Sequence, residues 1–127
     1  MILRRDIDTA DSKILRKFLE IEKKYGARST SYLRWNTINK KLMADIEKWG
    51  GGESSDHYEE IASFCYQHRI IKKEVVIDRM EEIRDLFIAN IEKFRKKTGM
   101  SCLTVASHGD YVNTKFQFQN KELMNER

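Results

Sequence analysis

The chain has no proline and only six glycines in 127 residues, too few of either for a linker-like, collagenous or low-complexity protein. Two cysteines, Cys65 and Cys102, cannot make a disulfide framework and lack the C-x-x-C spacing of a thiolate metal site or redox pair. Both fall in apolar stretches, where a free thiol acts as a small buried hydrophobe, and are read as reduced and structural. No run of about 18 apolar residues occurs. The start, Met1-Ile2-Leu3-Arg4-Arg5-Asp6, lacks the basic-then-apolar build of a secretory leader. A cytoplasmic address and no membrane partner are the resulting expectations.

Charge of one sign is also scarce. The 24 basic and 20 acidic residues leave a net charge of +4 spread along the chain, without the Lys/Arg stripe interleaved with aromatics that marks a nucleic-acid face; no nucleic-acid partner is expected. Phosphate loops, nucleophile elbows and H-E-x-x-H pairs are all missing. Gly50-Gly51-Gly52 lacks the lysine and following helix of a phosphate cradle and reads as a helix stop and a flexible link.

What remains is an ordinary globular composition, 40% apolar and 35% charged, sized for one domain over residues 1–127. Met1-Ile2-Leu3 is a short strand candidate ending at Asp6 to Asp8. Ile14, Phe18, Ile21 and Tyr25 then recur at helical spacing behind the cap candidates Asp8, Thr9 and Asp11, with Gly26 as the stop. Ser29 to Leu33 has β character, and Asn36 or Thr37 can cap a helix with Ile38, Leu42, Ile46 and Trp49 on one face, stopped by Gly50. Residues 51–57 occupy the place of a third strand with almost no apolar side chain, although a buried parallel strand normally carries Val, Ile and Leu. A short helix from Tyr58 to Tyr66 follows. Val76, Met80, Ile83, Phe87, Ile91 and Phe94 then form the core stripe of a long helix from about Lys73 to Lys97, ended by Gly99. Cys102 to Ala106 is a convincing strand, and the tail reads as loop plus a short helix near Lys121 to Asn125. This alternation predicts an α/β fold with mainly parallel strands and right-handed crossovers.

Three polar clusters sit where such a fold passes from strand to loop: Arg5-Asp6-Ile7-Asp8, Asp56-His57 and Ser107-His108-Gly109-Asp110. Strand carboxyl ends are where βα repeats assemble active sites. Asp6 and Asp8, two apart, project to one side of an extended segment, so one could bind a metal and the other serve as general base; alternatively, Asp8 caps the first helix and Asp6 pairs with a nearby arginine. His57 and His108 are candidate ligands for zinc or a similar metal, with Gly109 allowing the backbone to turn around the second. A solvent-exposed role is the alternative for each. His68, in Gln67-His68-Arg69, is read as exposed.

Taken in order, residues 2–8, 21–30, 57–62 and 104–113 resemble the polysaccharide deacetylase superfamily, closest to a deacetylase-like branch with an Arg-x-Asp-hydrophobic-Asp opening, here Arg4-Arg5-Asp6-Ile7-Asp8. The resemblance implies a metal-dependent hydrolase of N-acyl (amide) bonds in a carbohydrate or related substrate, with a divalent metal, usually zinc, held by one Asp and two His. Carried over, Asp6 and Asp8 divide the roles of base and ligand, Asp6 taken as catalytic base and Asp8, His57 and His108 as the metal set. A barrel of this kind typically needs more than about 200 residues. The resemblance therefore implies a partial (β/α) barrel of about four βα units, incomplete relative to the family, whose open edge would favour a homo-oligomer. The alternative function is a catalytically inactive truncated remnant that serves as an interaction or oligomerisation module.

Overall fold

A computed structural model describes residues 3–49 and 53–125. The elements are β1 (Leu3–Ile7), α1 (Ser12–Tyr25), β2 (Ser29–Leu33), α2 (Lys40–Trp49), β3 (Ser54–Tyr58), α3 (Glu60–His68), α4 (Lys73–Asp78), α5 (Met80–Thr98), β4 (Val105–Ser107), α6 (Tyr111–Phe116) and a closing 3-10 helix (Asn120–Met124). β1 and β2 pair in parallel with Leu3 opposite Ser29, and β2 and β3 with Ser31 opposite Ser54. β4 completes a four-stranded parallel sheet in the order β1-β2-β3-β4. Spatial order that follows chain order, with helices between strands, is that of successive βα units in a partial (β/α) barrel; a doubly wound sheet would reverse direction at a switch point. Among the described residues no helix is long and apolar enough to cross a membrane. Met1, Ile2 and Gly50-Gly51-Gly52, to which a strand start, a helix stop and a link were assigned, lie outside the described residues, as does the side chain of Trp49.

By packing, the chain divides into two compact units. The first comprises Met1–His57 and Phe94–Ala106, its core formed by Ile7, Leu15, Leu19, Leu33, Leu42, Ile46 and Phe94. In α1, the Asp11 side chain accepts from the N–H groups of Lys13 and Ile14, and Gly26, at φ 62, ends the helix in the left-handed region. The apolar face expected on this helix is corrected: Ile14, Phe18, Ile21 and Tyr25 are 55, 53, 55 and 72% exposed, whereas Leu15 and Leu19 are buried. Two charged anchors set that rotation. Arg5 pairs with Glu22, both side chains little exposed, and donates to Ser29 Oγ at 2.6 Å and Ser31 Oγ at 3.3 Å. Arg16 makes a two-pronged contact to Asp45 of α2 at 2.8 and 3.0 Å. α2 is capped by Asn39, whose Oδ1 accepts from Leu42 N–H at 2.9 Å, and not by Asn36 or Thr37. Thr37 donates to the Ile7 and Arg34 carbonyls instead. β4 begins later than expected because the Glu53 carboxylate accepts the N–H groups of Leu103 and Thr104 at 2.6 and 3.1 Å.

The second unit comprises Tyr58–Lys93 and Ser107–Arg127, with Tyr58, Ile61, Phe64, Val76, Ile83, Phe87, Val112, Phe116 and Leu123 buried. The single long helix expected from Lys73 to Lys97 is two helices. Arg79, at φ −106 and ψ 15, leaves the helical region; its guanidinium is held by Glu82 at 2.8 Å and lies 4.5 Å from the centre of the Phe64 ring. Val76, Ile83, Phe87 and Phe94 nevertheless keep the expected buried stripe. α6 replaces part of the expected loop, nucleated by a capping box between Asp110 and Asn113.

Candidate metal centre

β3, the strand with the weakest apolar signal, is buried at every residue from Ser54 to Tyr58. Side chains alternate along a strand, so Ser55 and His57 share one face. Both donate to backbone carbonyls: Ser55 Oγ to Thr104, and His57 Nδ1 to Ala106 at 3.0 Å. Hydroxyl and imidazole groups are tolerated in a buried strand when such bonds replace those to water.

A carbonyl only accepts, so His57 Nδ1 carries a hydrogen and Nε2 is the atom turned toward the end of β1. There it lies 3.5 Å from Asp8 Oδ1 and 3.9 Å from Asp6 Oδ2, with the imidazole 3% exposed. Nε2 facing two carboxylates is favourable where positive charge, a proton or a metal ion, lies among them. Atoms bound to one zinc at about 2.0–2.2 Å in tetrahedral geometry stand roughly 3.4 Å apart, which the His57–Asp8 separation of 3.5 Å matches. Asp6 is also gripped by Arg4, Nε to Oδ1 at 2.6 Å and Nη2 to Oδ2 at 2.8 Å. That hydrogen bond drives the Arg4 pKa further above its usual value, and the guanidinium lies 5.2 Å from the centre of the Tyr32 ring. The sequence alternative is thus half realised: Asp6 does pair with an arginine, but the helix cap is Asp11 and Asp8 is left beside His57. A small cleft of about 90 Å3 opens here, lined by Asp6, Asp8, Asp11, Ile14 and Phe18 among others.

His108 belongs to the second unit and is fixed at three atoms. Its N–H donates to the Tyr58 carbonyl at 2.8 Å, its carbonyl accepts from Asn120 Nδ2 at 2.6 Å, and its Nδ1 lies 3.2 Å from Glu59 Oε2. In His57 the Ala106 carbonyl engages Nδ1, which leaves Nε2 as the coordinating atom. Within the first unit Asp8 and His57 offer an oxygen and a nitrogen donor, a pair suited to zinc or a similar borderline metal. His68 is exposed, its ring 4.3 Å from that of Phe64, as expected.

The sequence reading missed the Ala106 carbonyl, which orients His57, and Glu59, whose carboxylate lies beside His108. Glu59 had a signal in its place two residues after His57; a backbone acceptor has none. Two further buried groups flank the site. Burial pushes the Glu60 carboxyl pKa up, opposed by a hydrogen bond from Asn90 at 3.0 Å. Burial likewise raises the Tyr58 phenol, opposed by a hydrogen bond with Ser107.

No protein-family model, curated protein or solved structure matches this chain.

Proposed function

We propose that the protein is a metal-dependent hydrolase of N-acyl (amide) bonds, in which Asp8 and His57 hold a divalent metal, zinc suiting these donors best, with His108 as the further ligand that the sequence resemblance implies, and Asp6 acts as general base. The observation that carries this reading is that His57 has Nδ1 committed to the Ala106 carbonyl, the arrangement that orients metal-binding histidines. For His57, Nε2 then meets the carboxylates of β1. When bound, the metal would supply a Lewis acid for the amide carbonyl oxygen and an activated water. The chain supplies the rest. Arg4 fixes the orientation of Asp6, so that its carboxylate can take a proton from the attacking water and hold it for the leaving amine. The Ala106 carbonyl keeps the His57 ring from turning. The substrate class, an N-acylated carbohydrate or related small amide, comes from the sequence resemblance in residues 2–8, 57–62 and 104–113.

The test is deacetylation of an N-acetylated chito-oligosaccharide by zinc-loaded protein. Asp6→Asn is expected to lower kcat by about 10²–10⁴-fold, the usual contribution of a positioned base, while retaining zinc; Asp8→Asn is expected to lose zinc. Equal rates in Asp6→Asn and the parent protein would remove Asp6 from the mechanism.

A second reading, a non-catalytic interaction module, is favoured by one observation, the exposed apolar row Ile14, Phe18, Ile21 and Tyr25 on α1. Zinc-free protein that associates through this row would support it.

A further inference from the structure

The second unit carries a groove of about 300 Å3 between the end of α3, the segment that follows it and α6. Buried Cys65, Val112 and Phe116 line it, and so do Tyr66, Ile71 and Tyr111, which are 60, 72 and 71% exposed. Exposed apolar side chains clustered around a concavity mark a binding surface more strongly than the same residues scattered singly.

Two cations line the same groove, Arg69 and Lys115. The nearby carboxylate, Asp110, is engaged in capping: it accepts from Val112 N–H and from the Tyr66 hydroxyl, both at 2.8 Å. Arg69 also sits at φ 53, as the C-cap of α3, a backbone conformation in which glycine is the least strained residue. An arginine kept there places a guanidinium at the groove despite its backbone cost, and strain of this kind collects at ligand clamps.

We propose that this groove binds a small apolar anion, specifically a monocarboxylate with an aliphatic or aromatic body. Its carboxylate would sit between Arg69 and Lys115, where a guanidinium offers paired donors, and its body would lie over Val112 and Phe116 between the two tyrosines. At about 30 Å3 for a water-sized group, a groove of about 300 Å3 takes roughly ten non-hydrogen atoms, the size of octanoate. The proposal uses no residue of the metal centre and stands or falls apart from it.

The experiment titrates octanoate into the full chain and follows the methyl signals of Ile71 and Val112 by NMR. Saturable binding is expected with Kd on the order of 1 mM or tighter, and the neutral octanamide should bind at least about tenfold more weakly because it forfeits the charged contacts. Lys115→Gln and Arg69→Gly should each weaken octanoate at least about threefold, and Arg69→Gly should do so without lowering Tm, because glycine relieves the φ 53 strain. Equal affinity for octanoate and octanamide, or undiminished binding by both variants, would overturn the proposal. So would no saturation by about 10 mM, or self-association that buries Tyr66 and Tyr111 and excludes octanoate, which would assign the groove to a second copy.

Discussion

At the scale of single residues, the clearest energetic commitments are charges taken out of water. Arg5 and Glu22 pair with little exposure, and Arg5 also satisfies two serine hydroxyls of β2. Removing one partner of such a pair strands the other, at about 3–5 kcal/mol. Arg5→Met is therefore expected to lower stability in urea denaturation by that amount, and adding Glu22→Leu should recover most of it; a loss below about 1 kcal/mol in the single variant would show the pair to be solvated. Glu60 behaves differently because burial raises its folded pKa above the unfolded carboxylate value. The folded state then binds the extra proton, so the contribution of Glu60 to stability is complete below the unfolded pKa and is lost as pH rises through the folded one. Glu60→Gln should match the parent protein near pH 4 and exceed it in stability at neutral pH. An advantage that is the same at both pH values would contradict the assignment. Residues of this kind are hard to see in a sequence: nothing local to Glu60 says that it is buried beside Asn90.

At the scale of elements, the helix that reads most plainly in the sequence is turned away from its expected face. The row Ile14, Phe18, Ile21 and Tyr25 has helical spacing, yet the core takes Leu15 and Leu19, because Arg5–Glu22 and Arg16–Asp45 fix the rotation from two sides. Periodicity reports that a helix is amphipathic; with apolar residues on two adjoining faces, it does not report which one packs. The expected outcome is a large asymmetry between neighbours. Leu19→Ala should cost about 2–5 kcal/mol, whereas Phe18→Ser should stay within about 0.5 kcal/mol; comparable losses would return Phe18 to the core. β3 was illegible for the opposite reason. Its residues Ser54-Ser55-Asp56-His57 carry no apolar signal, and Ser55 and His57 are accommodated by hydrogen bonds to the Thr104 and Ala106 carbonyls that local sequence does not encode. The break at Arg79 and the six-residue α6 were hidden by length, since one turn and a half gives periodicity too little to act on.

At the scale of the whole molecule, order along the chain carried most of the information. Alternating strands and helices gave the parallel α/β sheet in the order β1-β2-β3-β4, and that order alone puts Asp8 after β1, His57 on β3 and His108 after β4, where strands hand over to loops. The detail of orientation, the Ala106 carbonyl behind the His57 imidazole, needed three dimensions. The proposed site would draw its ligands from well-separated stretches of chain and would exist only when the protein is folded, so zinc binding would be linked to folding. Free zinc at about a thousand times Kd should add about 4 kcal/mol to stability, seen as a raised Tm that a chelator reverses. The most direct measurement is zinc content and affinity of the purified protein, by elemental analysis and calorimetry, beside His57→Ala and His108→Ala. The account predicts about one equivalent in the parent protein and its loss in each variant. Protein that takes up no zinc, or variants that bind it as tightly as the parent, would contradict the metal centre.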